Sequence, residues 1–232
     1  MGKPKDEARA SWADDETPEQ KTKRARTILR RLERTYPELH TALDFSTPFE
    51  LLVATVLSAQ STDKMVNVIT KSLFKKYRNP QDYLASKPGE LEADIKQSGF
   101  FNQKAKSIRG LSRVLLEEFD GEVPHTLHEL MRLPGVARKT ANVVLSNGFG
   151  LNEGIAVDTH VHRLSWRLAL SDHHDPVKVE RDLMALFPKG PTWHKVTHCL
   201  IEHGRAICIA RAPKCGDCVV NDLCPASRAP VR

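Results

Sequence analysis

Five cysteines fall between positions 199 and 224, and four of them read Cys208-x6-Cys215-x2-Cys218-x5-Cys224, with Pro225 following. Four thiolates in so short a segment can surround a tetrahedral ion or the corners of an iron-sulfur cubane. With a single Cys-x2-Cys pair, ligand chemistry alone leaves zinc and iron-sulfur equally open. Cys199 is surplus to four ligands and sits among Val196, Leu200 and His203 in a helical pattern, which predicts a buried thiol. A disulfide framework would distribute its cysteines, whereas none occurs in the first 198 residues here. Clustering of this kind points to a metal site in a reducing compartment. Arg211 and Lys214 lie in the loop between the first two cysteines, where they can meet phosphates or only water.

The second stretch able to do chemistry is Leu133-Pro134-Gly135-Val136-Ala137-Arg138-Lys139-Thr140-Ala141. A tight Pro-Gly turn between two helices leaves amides at the start of the second helix available, and such donors suit a phosphate oxygen. The segment therefore reads as a helix-hairpin-helix, although a plain interhelical turn fits Pro-Gly alone equally well. Asp158 follows the apolar Ile155, Ala156 and Val157 and precedes Thr159-His160-Val161, which predicts a helix N-cap.

The elements that must position these residues are helical. Thr47-Pro48-Phe49-Glu50 is a capping box that starts a helix through Leu51 to Gln60, and Thr126 with Glu129 forms a second. Apolar stripes at helical spacing run through Ile28, Leu29 and Leu32, through Met65, Val66, Ile69 and Leu73, and through Ala105, Ile108, Leu111 and Leu115. Another helix covers Met184, Leu186 and Phe187 after Pro176. Strand-length alternation is nearly absent, so the fold is expected to be all-α. Residues 1–21 carry charge without apolar periodicity and are expected to form a flexible extension.

At 232 residues, 40% hydrophobic and 28% charged, the chain has the balance of a globular protein large enough for one or two domains. Apolar runs such as Leu51 to Leu57 are far too short for a bilayer span, and the polar start has no secretory character. Work in the cytoplasm, on the nucleoid if the source is bacterial, is the expectation. The net charge of +6 is uneven: residues 21–40 hold seven basic and two acidic groups, residues 203–232 five and two, and residues 41–202 twenty and nineteen. A polyanion footprint should accordingly be local.

Leu133 to Leu145, the Ala156-Val157-Asp158-Thr159-His160 segment and the C-terminal cysteines, in this order, resemble the endonuclease III family of base-excision DNA glycosylases, from about residue 22 to residue 225. The resemblance implies a helix-hairpin-helix glycosylase architecture. A six-helix barrel would cover residues 41–151, and a cluster domain would join residues 22–40 to 152–232, with DNA across the cleft between them. It implies a 4Fe-4S cluster on Cys208, Cys215, Cys218 and Cys224. Lys139 matches the family's catalytic amine, which attacks C1′, expels the base as a Schiff base forms and permits β-elimination. Asp158 matches the acidic partner of that lysine. Gln60 matches a polar wedge, and Phe100 stands where relatives often carry an intercalating leucine. Gly135 belongs to the hairpin's DNA contact, while Ala137 replaces a second glycine and would cost affinity if that position needed a positive φ. The implied partner is damaged or abasic duplex DNA and the implied state a monomer. The function is removal of oxidised pyrimidines followed by strand cleavage. Two alternatives stay open. A monofunctional relative is disfavoured by Lys139 and by the short tail after Cys224; a non-catalytic DNA-binding iron-sulfur module would keep all its activity without Lys139.

Overall fold

The computed structural model describes residues 9–228 and is helical, with no strand among the described residues. Its helices are α1 (Pro18–Thr35), α2 (Pro48–Ser58), α3 (Asp63–Lys76), α4 (Pro80–Ala85), α5 (Glu90–Asp94), α6 (Phe101–Glu118), α7 (Leu127–Leu130), α8 (Arg138–Phe149), α9 (Thr159–Arg167), α10 (Pro176–Leu186) and α11 (Pro191–Ala206). The all-α expectation holds. Two compact units arise, one from Met1–His40 with Asn152–Arg232 and the other from Thr41–Leu151.

The continuous unit contains α2 to α8. Its central helix, α2, is apolar on every side: Leu51, Leu52, Val53, Ala54 and Leu57 are fully buried, as expected of a helix enclosed by its neighbours. Its start is set as the sequence predicts, since Thr47 Oγ1 accepts from the Glu50 amide at 3.2 Å and Glu50 accepts from the Ser46 amide at 2.6 Å. The end differs, because α2 stops at Ser58 and Gln60 lies beyond it with φ 55°. Around α2 pack Ile69 and Leu73 of α3, Ile108, Leu111 and Leu115 of α6, and Val144 and Leu145 of α8. At Thr126 only the N-cap half of the expected box forms, Oγ1 accepting from the Glu129 amide at 3.2 Å while the Glu129 carboxylate accepts from the Thr126 hydroxyl at 2.7 Å, and α7 runs only four residues before the hairpin turns the chain.

The discontinuous unit has its own core. Ile28 and Leu32 of α1 meet Val161 and Leu164 of α9, Leu183 of α10 and Val196 and Leu200 of α11. Here the expectation of a flexible extension fails for residues 9–21; residues 1–8 lie outside the described range. Helix α1 already begins at Pro18, behind a complete capping box between Thr17 and Gln20. Arg9 donates to the Trp166 carbonyl at 3.3 Å, pairs with Asp172 at 2.6 Å and lies over the Trp166 ring at 4.3 Å. Glu16 forms a two-pronged pair with buried Arg24 at 2.6 and 2.7 Å. The physical reason is that these charges are spent on partners rather than on water, which composition cannot reveal.

Candidate nucleic-acid interface and metal centre

The hairpin between α7 and α8 is built around one glycine. Gly135 holds φ +80°, and a Cβ there would stand 2.7 Å from Ser107 Cβ and 2.8 Å from Ser107 Oγ. On the same face of α6, a Cβ on Gly110 would meet Pro134 at 3.0 Å. Two positions without side chains thus let the turn lie directly on α6, while Leu133 and Val136 anchor it in the core. Ala137 has φ −89° and ψ 168°, ordinary extended backbone, so the feared need for a second glycine is absent. As N-cap of α8 it offers no side-chain acceptor to the first turn. Uncapped amides at the positive end of a helix are what an anion seeks.

Lys139 is the second residue of α8. It is exposed, and its ammonium makes no hydrogen bond or ion pair within the described residues. Asp158 is the N-cap of α9, as its setting predicts: Oδ1 accepts from the amides of His160 and Val161, both at 2.8 Å. Both bonds fall on one oxygen, leaving Oδ2 without a hydrogen bond among the described residues and half-buried with its residue. Lys139 belongs to the continuous unit and Asp158 to the discontinuous one.

Gln60 and Phe100 are brought out in the same manner. Gln60 is exposed at the apex of the α2–α3 turn, and Phe100 is the N-cap of α6 with φ 48° and 67% exposure. They are two of four non-glycine residues with positive φ among the described residues. Each such conformation costs of order 1–3 kcal/mol and persists only where surroundings impose it. Phe100 is open to solvent, whereas its neighbour Phe101 packs on the core.

Cys208, Cys215, Cys218 and Cys224 line one pocket together with Leu164, Leu168 and Val220. None is in a disulfide. Burial pushes the Cys218 thiol up to about 11 and the Cys224 thiol up to about 12, so metal must displace protons to bind them. Four thiols lining one shared space suit a cubane, where each sulfur takes a different iron. Cys199 is fully buried in α11, its thiol pushed by burial up to about 12, and stands outside the set as expected. Arg211 and Lys214 are exposed on the loop, which the Lys214 amide closes onto the Ile207 carbonyl at 3.0 Å.

Sequence reasoning missed the residues that hold this loop. Arg167, 3% exposed, donates to Cys208 Sγ at 3.3 Å and to the carbonyls of Ile209 and Ala210 at 2.8 Å. Arg24 donates to the carbonyls of Leu168 and of Leu223, the residue before Cys224, at 2.6 and 3.2 Å. Arg31 pairs with Asp222 at 2.5 Å. His203 Nε2 lies 3.3 Å from Cys218 Sγ, and its Nδ1 accepts from the Tyr36 hydroxyl at 3.0 Å when Nε2 carries the proton. Burial pushes His203 down to about 4, which keeps the ring neutral. Donors to cluster sulfurs and to the carbonyls around them are what a thiolate-bound group needs.

Comparison with known proteins follows the same division. Residues 53–189 match the HhH-GPD superfamily of base excision DNA repair proteins, and residues 208–224 match the iron-sulfur binding domain of endonuclease III. Endonuclease III of Synechocystis sp. (strain ATCC 27184 / PCC 6803 / Kazusa) is 50% identical over 209 residues, covering 90% of this chain and 95% of that protein. Endonuclease III of Bacillus subtilis (strain 168) is 49% identical over 190 residues, covering 82% and 86%. A solved structure of a trapped endonuclease III–DNA covalent intermediate, an estranged-adenine complex, aligns with a TM-score of 0.85 at 45% identity, covering 89% of this chain and 97% of that one.

Proposed function

The chain belongs to the endonuclease III family within the HhH-GPD superfamily of base excision DNA repair proteins, and from that premise we propose that it excises oxidised pyrimidines from duplex DNA with Lys139 as nucleophile and Asp158 as its acidic partner. It is a bifunctional DNA glycosylase and abasic-site lyase with a 4Fe-4S cluster, acting on damaged duplex DNA. No helix among the described residues is long and apolar enough to cross a membrane. A genomic DNA substrate puts its work in the cytoplasm, on the nucleoid in a bacterium.

The observation that carries the reading is an exposed primary amine one residue past the start of an uncapped helix, directly behind a hairpin whose amides suit phosphate. Gly135 and Ala137 hold the backbone contact, with Arg211 and Lys214 meeting phosphates from the cluster loop. Gln60 and Phe100 fill the space of an extruded nucleotide, an event any enzyme acting on a stacked base must arrange. The neutral Lys139 amine attacks C1′, and the bond to the base breaks with its electron pair leaving on the base. After the attacking nitrogen loses a proton, its lone pair opens the sugar ring, the C1′–O4′ bond breaking as O4′ takes a proton; the resulting Schiff-base iminium acidifies the C2′ hydrogen, and removal of that proton forms the C2′–C3′ double bond and expels the 3′ phosphate. Asp158 Oδ2 takes the ammonium proton and stabilises positive charge on the sugar, its Oδ1 being held by the α9 amides. Cys208, Cys215, Cys218 and Cys224 would hold the cluster, which would cross-link their loop, and bond cleavage at the sugar calls for none of its redox chemistry.

The test is single-turnover excision from a duplex holding one thymine glycol. Asp158→Asn should lose about 100-fold or more, the usual scale for a general base. An unchanged rate in this variant would remove Asp158 from the chemistry.

A further inference from the structure

A lysine in the continuous unit is buried where the proposed reaction makes no use of it. Lys104, in the first turn of α6, is 5% exposed. Its ammonium donates to the carbonyl of Leu57 at 2.7 Å and to that of Ser98 at 2.7 Å. Among the described residues its ammonium has no carboxylate partner and makes no further interaction, and burial alone lowers its pKa. An ammonium without a counter-ion in an apolar surround is expensive, so its hydrogen bonds must offset the cost of burial.

The two acceptors explain the expense. Leu57 lies in the last turn of α2, whose carbonyls lack helical partners and carry the negative end of the helix dipole. Three residues on is Gln60, held at φ 55°. Ser98 is itself buried and ends the 3-10 turn before Gly99 and Phe100, the latter at φ 48°. One side chain therefore joins the stem of one strained, exposed turn to the stem of the other.

We propose that Lys104 is a positioning residue that locks the Gln60 turn to the Phe100 turn, so that both side chains enter a duplex as one rigid unit during nucleotide extrusion. This rests on the wedge roles given above to Gln60 and Phe100. An apolar residue at position 104 would pack as well but leave both carbonyls without donors, freeing the turns to relax out of the left-handed region. Lys104 touches no substrate. Its effect is confined to the step in which a stacked nucleotide is displaced.

The experiment compares two reactions of the same cluster-loaded protein under single turnover: excision of thymine glycol from a fully paired duplex, and cleavage of a duplex with a pre-formed abasic site. Both need Lys139, but only the first must unstack a base. Lys104→Met keeps the stem and removes the donors. The expected result is a loss of about 10-fold or more in excision relative to abasic-site cleavage, and an extrusion signal from a fluorescent base beside the lesion that is slowed by the same factor. In a Gln60→Ala, Phe100→Ala background the extra loss from Lys104→Met should vanish. If Lys104→Met lowers both reactions equally, or neither, the positioning role is overturned while the wedges stand. If Gln60→Ala and Phe100→Ala leave excision intact, the wedge reading and the positioning role fall together. Should Lys104→Met not fold, Lys104→Gln, which keeps a donor on a shorter stem, is read by the same ratio.

Discussion

Replacing Gly135 by alanine asks whether the hairpin is held as described. The new methyl would sit at φ +80°, 2.7 Å from Ser107 Cβ and 2.8 Å from its Oγ. The left-handed conformation costs about 1–2 kcal/mol for a residue with a Cβ, and overpacking against a buried helix adds about 1–3 kcal/mol. Ser107 cannot yield easily, being 8% exposed within the 18-residue α6. Ser107→Gly would take away both short contacts and leave only the Cα at 3.8 Å, an ordinary distance. In that background Gly135→Ala should cost only the dihedral part. The cost of Ser107→Gly itself cancels in the cycle. Denaturant unfolding of the four proteins measures the coupling, expected at about 1–3 kcal/mol. The salt dependence of undamaged-duplex binding should fall by about one phosphate contact in Gly135→Ala, as the turn lifts from α6. A Gly135→Ala protein within about 0.5 kcal/mol of the parent, the range of bland surface changes, would refute this account of the turn. So would a loss independent of Ser107.

Three further expectations follow from the same structure. Ala137→Ser supplies the missing N-cap of α8 and should raise stability by about 0.5–1 kcal/mol in thermal unfolding, yet weaken duplex binding, because the new oxygen competes with phosphate for the same amides. Arg167→Met leaves Cys208 Sγ and the carbonyls of Ile209 and Ala210 short of a donor. Its cluster should bleach several-fold faster, followed by visible absorbance, while far-ultraviolet circular dichroism stays helical. His198 is buried with its ring centroid 4.3 Å from that of His194, and burial first, then His194, His40 and Arg205, push it down to about 3. The unfolded chain therefore binds more protons than the native one below the ordinary histidine value of about 6.5, so this contribution to stability is intact above it. It is lost at up to about 1.4 kcal/mol per pH unit on descending toward 3. His198→Gln should flatten that part of the acid-unfolding curve, and an unchanged slope would rule His198 out as its source.

Much of the site was legible because its signals are local. The N-cap role of Asp158 follows from its neighbours, and threonine N-caps at Thr47 and Thr126 place α2 and the approach to the hairpin. Cysteine spacing isolates four thiols from Cys199. What escaped the sequence is mostly long-range. Arg24, Lys104 and Arg167 each fall on the apolar stripe of their own helix, beside Ile28, Ile108 and Leu164 respectively, and each is buried. A cation at a stripe position is the signal that was available. Its meaning was not, since Arg24 donates to carbonyls 144 and 199 residues away and one of the two acceptors of Lys104 lies 47 residues away in the chain. The expectation of a flexible extension over residues 1–21 fails at Arg9 and Ala10 for the same reason, their partners Trp166, Asp172 and Pro225 being remote in sequence. The length of α7 and the left-handed turns at Gln60 and Phe100 arise from packing that overrides local preference.

The central claim is that the Lys139 amine forms the bond to the sugar. Borohydride added while the cluster-loaded protein turns over a thymine glycol duplex reduces a Schiff base to a stable amine. The account predicts one covalent protein–DNA adduct, mapped by mass spectrometry to Lys139 and absent from a Lys139→Ala protein that still binds duplex and keeps its cluster. An adduct that persists in Lys139→Ala, or none from the parent protein, would contradict it.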